Sequence, residues 1–396
     1  MTSPNILGQL SALHELQQQL LESASESEAA GQFHPQLASL NWYFGRGVYL
    51  ELYWLRERLE GDGDLGQRVS HLFEPGELSF QAQCQQLPPT SHLIQWASDI
   101  RDEHLRRLAT PGALPEHIFT THDRLQWFLL QEQAKIYESM LEVLNQRSLR
   151  NQDTGHICTH PLVAAEPVWQ TREISQGHYR IGARDEPKAY DNELPPQAVE
   201  LSSYRIALTP VSNAQYLAFM QASGYENASL WSDEGRHWLQ ENSTSHPEYW
   251  RQDPSGNWYE SAINGNSDLP ADEPVAGINR FEAEAYTQWV SQLGTEYEGA
   301  VLQHEYQWEV AARSGVLQQT GRVWEWCSTP FHTYPEFQPF PEEPQASVAK
   351  KTILRGASMH TQRVIRRSSF RHWADPSDHF HFSGMRMVFP PKHEWS

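Results

Sequence analysis

Over roughly its first 148 residues the chain repeats apolar positions at helical spacing and shows almost none of the alternation that marks a strand. The spacing predicts four helices, near residues 5–26, 36–60, 90–109 and 121–148. The last carries the period most clearly. Leu125, Phe128, Leu129, Ile136, Met140 and Leu144 recur at three- and four-residue steps and form one apolar stripe. Pro88-Pro89 and Pro111-Gly112 punctuate the connections, since proline lacks the amide a helix needs and glycine turns freely. Four such stripes cover one another most simply in a four-helix bundle.

Beyond residue 150 the period dissolves into NQDTGHICTHPLVAAEP, which reads as a linker. The texture then changes to short strand-like runs rich in Gly, Pro and Trp. Two helices are expected there, at 213–223 and 280–293, and the stretch 231–269 is expected to be a long irregular loop. The division is therefore a helical domain at 1–148, a linker at 149–166 and a second domain at 167–396. A chain of 396 residues suits two cores better than one.

Composition narrows the partners. Fifty acidic against 30 basic residues give a net charge of -20, a field that repels nucleic acid and anionic membranes. The N-terminus has no basic segment followed by an apolar run, so no secretory signal is expected. No window approaches the run of about 18 apolar residues that a spanning helix requires, and the expected address is the cytoplasm. Cys84, Cys158 and Cys327 are too far apart for a disulfide framework or a CxxC knuckle, and each reads as a small buried hydrophobe.

An ordered series of segments runs through the second domain: YRIGAR at 179–184, YRIALTPVSNAQYLAFM at 204–220, PVAGINRFEAEAYTQW at 274–289, QWEVAAR at 307–313, GRVWEWC at 321–327, LRGAS at 354–358 and FSGMRM at 382–387. The series resembles the superfamily of formylglycine-generating enzymes and ergothioneine sulfoxide synthases. That resemblance implies a C-type-lectin-like α+β domain. In the helical half, NWYFGRGVYLELYW at 41–54 and LLQEQAKIYES at 129–139 are similar to helices of the EgtB-type sulfoxide synthases. Those enzymes place a DinB-like four-helix bundle ahead of the lectin-like domain. They join cysteine or γ-glutamylcysteine to trimethylhistidine with non-haem iron and oxygen. Sulfatase activation is excluded, because formylglycine-generating enzymes hold copper with two cysteines just past LRGAS and residues 359–365 contain none.

The resemblance also locates the iron ligands. Its N-W-H-x-x-H pattern falls on Tyr43 and Arg46, and its H-E-x-x-H-x-E pattern puts Gln131 and Lys135 at the histidines, Glu132 in register and Tyr137 at the acid. Iron(II) that activates oxygen takes imidazole or carboxylate ligands. A guanidinium has no lone pair to give, and an ammonium must first lose a proton. Residues 124–150 contain no histidine in any register, and His117 and His122 are badly spaced to share a metal. No cofactor is expected at the inherited site. Arg46, Gln131, Lys135 and Tyr43 become candidate contacts for a small-molecule anion such as a carboxylate.

The family's substrate run R-N-W-D-x-P-x-R-R reads here Arg371, His372, Trp373, Ala374, Asp375, Pro376, Ser377, Asp378, His379. The acid has become Ala374 and the two arginines Asp378 and His379, leaving His372, Trp373 and Asp375 as candidate ligand contacts. Phe340 stands nearest the family's assisting tyrosine. The expectation is a scaffold that binds a small-molecule anion or a partner protein, with no nucleic acid and no membrane. The alternative is an oxidoreductase forming a carbon–sulfur bond on a histidine derivative at a relocated metal. Its ligands would be His360, His379 and His381, the last two pointing the same way from a strand.

Overall fold

Ser39 fixes where the second long helix begins. Its hydroxyl accepts the amide of Trp42, which supplies one of the partners the first turn cannot find within the helix. The computed structural model describes residues 4–391 except 75, 77, 111, 151–154, 185 and 340–349. The chain forms two compact units, Met1–Asn151 with His360–Ile365, and Gln152–Met359 with Arg366–Ser396.

The first unit is helical: α1 (Pro4–Glu22), α2 (Glu26–Ala30), α3 (Leu40–Leu52), α4 (Asp64–Phe73), α5 (Phe80–Cys84), α6 (Thr90–Ala109) and α7 (Arg124–Arg150). α1 packs on α6 and α7, and α3 packs on the same two. The α7 stripe buries Leu125, Leu129, Met140 and Leu144, while Phe128 stands edge-on to Trp54 with ring centroids 5.1 Å apart. The first helix ends sooner than its periodicity suggests, because Ser25 and Glu28 form a capping box that starts α2. α3 runs on through a π-helical turn at Tyr53–Arg58. α4 and α5 fill the stretch between the second and third expected helices; α4 carries a short apolar stripe of Leu65, Val69, Leu72 and Phe73, whereas α5 is only five residues long.

The second unit begins with β1 (Thr171–Ile174), β2 (Gly177–Ile181), β3 (Gln197–Leu201), β4 (Tyr204–Ala207) and α8 (Asn213–Gln221). It continues with α9 (Asp233–Asn242), β5 (Trp250–Gln252), β6 (Trp258–Ala262), β7 (Gly265–Asp268), α10 (Arg280–Ser291), β8 (Val301–Leu302) and α11 (Glu305–Arg313). It closes with β9 (Trp324–Pro330), β10 (Thr352–Gly356), β11 (His372–Ala374), β12 (Ser383–Met385) and β13 (Met387–Phe389). The described strands form sheets in the orders β1-β4-β13-β8 and β11-β10-β9-β12, the pair β2-β3 and the meander β5-β6-β7.

Capping boxes at Ser212 and Asn279 start α8 and α10 where the sequence places them. The stretch 231–269 is not irregular. It holds α9, capped by Ser232, and the antiparallel meander, whose strands are only three to five residues long and carry too little apolar alternation to stand out. Mixed helix and sheet thus build an α+β chain. Among the described residues no helix is long and apolar enough to cross a membrane.

Candidate functional site

The faces of α3 and α7 carry the positions that the sequence singled out. Arg46 donates to the carbonyl of Phe73 at 3.1 Å and lies 5.4 Å from the centre of the Tyr49 ring. Tyr43 stands edge-on to Trp42, 5.2 Å between centroids. Gln131, almost fully buried, donates back to the carbonyl of Trp127 at 3.1 Å. The Lys135 ammonium pairs with Glu132 at 2.7 Å, one turn back on the same helix. One turn further, Glu138 is buried and accepts the Thr361 hydroxyl.

Deeper in the same unit lies a polar network that sequence reasoning missed. Glu51 of α3, fully buried, meets His14 of α1 at 2.6 Å, His104 of α6 at 3.2 Å and the Gln133 amide of α7 at 2.9 Å. Gln133 also donates to the carbonyl of Gly47 at 2.8 Å, and a Cβ at Gly47 would fall 2.7 Å from the Gln133 side-chain oxygen. Gln17 links Gln133 to Arg101, whose guanidinium donates to it at 2.7 Å. Burial pulls the His14 imidazole below its usual value despite Glu51, and it lowers Arg101 to about 10. The two histidines, helped by their hydrogen bonds, hold Glu51 well below the carboxylate range against the opposing effect of burial. The only signal in the sequence is a set of isolated polar residues inside apolar stripes.

In the second unit the segment markers are core. Trp324, Glu325, Trp326 and Cys327 on β9 are all buried. Glu325 receives Arg386 through two bonds of 2.8 and 2.9 Å and the Trp308 indole at 2.9 Å. Arg371 grips Glu305 with two bonds of 2.8 Å, and Arg355 pairs with Glu309. These paired guanidinium groups hold sheets and α11 together. Each is fully buried with its carboxylate, out of reach of a ligand from solvent.

Asp375, Pro376 and Ser377 wall a cavity of roughly 550 Å³ beside Trp238, Glu241, Arg280, Phe281 and Lys350, and the neighbouring His372 and Trp373 are not among its lining residues. Asp375 is bonded to Lys351 at 2.5 Å, and Lys351 sits 5.8 Å from the Trp373 ring centre. His372, on β11, packs against Trp324 at 4.8 Å.

His379 and His381 do not sit on a strand, because the chain bends through 380–382 before β12 begins. They face different carboxylates: His379 lies 3.5 Å from Glu248, and His381 lies 3.6 Å from Asp378. His360 falls in the first unit, whereas His379 and His381 belong to the second. Phe340 lies outside the described residues.

The family profile of the sulfatase-modifying factor enzyme 1-like domain matches residues 163–320 and 314–390. The hercynine oxygenase of Mycobacterium tuberculosis is 28% identical over 98% of this chain and 100% of its own length. The hercynine oxygenase of Mycolicibacterium thermoresistibile is 30% identical over 64% of this chain and 66% of its own. Among solved structures, PvdO from Pseudomonas aeruginosa is 14% identical with a TM-score of 0.40, covering 60% of this chain and 100% of that one.

Proposed function

Because the chain belongs to the sulfatase-modifying factor enzyme 1-like family and is similar along its length to proteins named hercynine oxygenase, we propose that it is a sulfoxide-synthase relative whose inherited iron face has been given up, and that it serves as a binding protein for a small anionic molecule. One observation carries this reading: α7, from Arg124 to Arg150, offers no imidazole anywhere along its length.

The residues at the implied ligand positions do not fit iron(II). Arg46 supplies a guanidinium, Gln131 an amide already turned to its own helix, and Lys135 an ammonium paired with Glu132. Positive groups on such a face repel a cation and suit an oxyanion. The family's oxygen chemistry is therefore not routed through this chain. We place the protein in the cytoplasm, a reading supported by three free thiols, Cys84, Cys158 and Cys327.

The ligand contacts proposed are Arg46, Gln131, Lys135 and Tyr43 in the first unit, and His372, Trp373 and Asp375 in the second. A thermal-shift screen of carboxylate and amino-acid metabolites, run on wild type, Arg46→Ala and Asp375→Ala, tests the binding role through ligand-linked stabilisation. The expected result is a shift in wild type that one of the two substitutions abolishes. Oxygen consumption with trimethylhistidine and cysteine or γ-glutamylcysteine at ordinary enzymatic rates would overturn the reading.

A further inference from the structure

The segment following the helical unit contains a second motif that the proposed function leaves unused. In GHICTH the donors His156, Cys158 and His160 fall at every second residue; His156 and Cys158 turn inward, while His160, beyond a bend at 159–160, is exposed. The exposure pattern agrees. Ile157 is 68% exposed while Cys158 beside it is buried.

Asp268, the last residue of β7, faces this segment. Its Oδ2 holds the loop by accepting the Thr159 hydroxyl at 2.6 Å and the His160 amide at 2.7 Å, while its Oδ1 meets His156 Nε2 at 2.9 Å. The Cys158 thiol points to the carbonyls of Trp258 and Asn257, and its own amide is fixed by Asp253 at 3.1 Å. One donor atom each from His156, Cys158 and Asp268 lies within 4.8 Å of the others. His160 adds a ring nitrogen 3.5 Å from the same carboxylate.

We propose that His156, Cys158 and Asp268 bind a divalent cation of the zinc class, tying the segment after the helical unit to the β6–β7 hairpin. The chemistry of the set supports that class. Imidazole, thiolate and a single carboxylate oxygen together suit borderline-soft ions and disfavour magnesium and calcium, which prefer oxygen throughout. Bond lengths of about 2.0 Å to nitrogen and about 2.3 Å to sulfur put tetrahedral donors about 3.3–3.6 Å apart, so His156 Nε2 and Asp268 Oδ1, 2.9 Å apart, would open slightly while the widest pair, within 4.8 Å, would close. A water or the exposed His160 ring would complete the tetrahedron. An apolar hollow of roughly 420 Å³ borders Asp268 and His160, with Leu162 and Leu269 in its walls.

Binding releases one proton, from the Cys158 thiol to water, as the sulfur becomes a ligand. Because that proton must leave, uptake weakens as pH falls. The site draws only on residues of the second unit and on none proposed to contact the anion, and its failure would leave the proposed function standing.

The test is a titration of the full chain with cobalt(II), which reports a thiolate ligand by a charge-transfer band in the near ultraviolet. The expected result is a saturating band in wild type and in the Gln131→Ala/Lys135→Ala variant, displaced by zinc(II). Cys158→Ser loses the band, and His156→Ala weakens cobalt binding by at least about tenfold. His156 is half-buried, so its substitution keeps the test open if the Cys158 variant misfolds. Zinc(II) raises the melting temperature of wild type and of Gln131→Ala/Lys135→Ala, less that of His156→Ala, and not that of Cys158→Ser. No band in wild type, or a band retained by Cys158→Ser, would overturn the proposal.

Discussion

Thr361 donates its hydroxyl to the Glu138 carboxylate, 2.9 and 2.8 Å from its two oxygens, in a buried contact of the helical unit. The segment just past LRGAS, where formylglycine-generating enzymes are expected to keep their copper cysteines, is here part of the helical core: His360–Ile365 groups with α7. Thr361→Val removes the donor from a buried carboxylate and should cost about 1–3 kcal/mol. Denaturant unfolding of Thr361→Val against Thr361→Ser checks this, with Ser keeping most of the stability. Equal stability of the two variants would show that the hydroxyl contributes nothing.

The Glu51 cluster predicts a loss of stability toward acid. His14 has its folded value depressed by burial, below the ordinary 6.5, so the unfolded chain takes up a proton there that the folded chain refuses. Stability is full above that ordinary value and falls as pH drops through it. The lowered Glu51 adds a loss of the same sign further into acid. Urea midpoints from about pH 7 to about pH 5 should fall in wild type and flatten in His14→Gln. Glu51→Gln weakens the hydrogen bonds that His14, His104 and Gln133 make to the carboxylate and should cost about 1–3 kcal/mol.

Glu282 predicts the opposite slope. Burial raises its carboxyl to about 8, outweighing the Tyr225 hydroxyl at 2.6 Å and the Asn279 amide at 2.8 Å, both of which favour the charge. The folded chain therefore holds a proton that the unfolded chain has already lost above 4.5, and stability falls as pH rises from there to about 8. Glu282→Gln cannot ionise. Its melting temperature should lose this alkaline decline while wild type keeps it.

Arg386 and Glu325, joined by two bonds and both fully buried, form an ion pair whose halves cannot be removed separately without leaving a charge in the core. Arg386→Ala should cost about 3–5 kcal/mol in denaturant unfolding. An Arg386→Met/Glu325→Met double substitution should recover much of that loss. A double variant no better than Arg386→Ala would contradict the pairing as the source of the cost.

Much of the fold was legible where one element repeats its own pattern. The α7 stripe, and the capping residues ahead of α8 and α10, are local and could be read directly. The meander β5–β7 was not, since its strands are short and mix tryptophan with polar residues. The Glu51 cluster was invisible for another reason. Its members come from four helices, with His14 and Glu51 separated by 37 residues and Gln17 and Gln133 by 116, and nothing local marks a buried glutamate as paired. At the ligand positions that the resemblance implies, the sequence supplied residue types but not partners. That Lys135 is paired with Glu132 and that Arg46 is turned to Phe73 required coordinates.

The measurement that bears most directly on the central claim is iron content after anaerobic reconstitution of wild type, Gln131→Ala and Lys135→Ala. The account predicts that no iron bound to the protein depends on either side chain. Stoichiometric iron in wild type that is lost in Gln131→Ala or Lys135→Ala would contradict it.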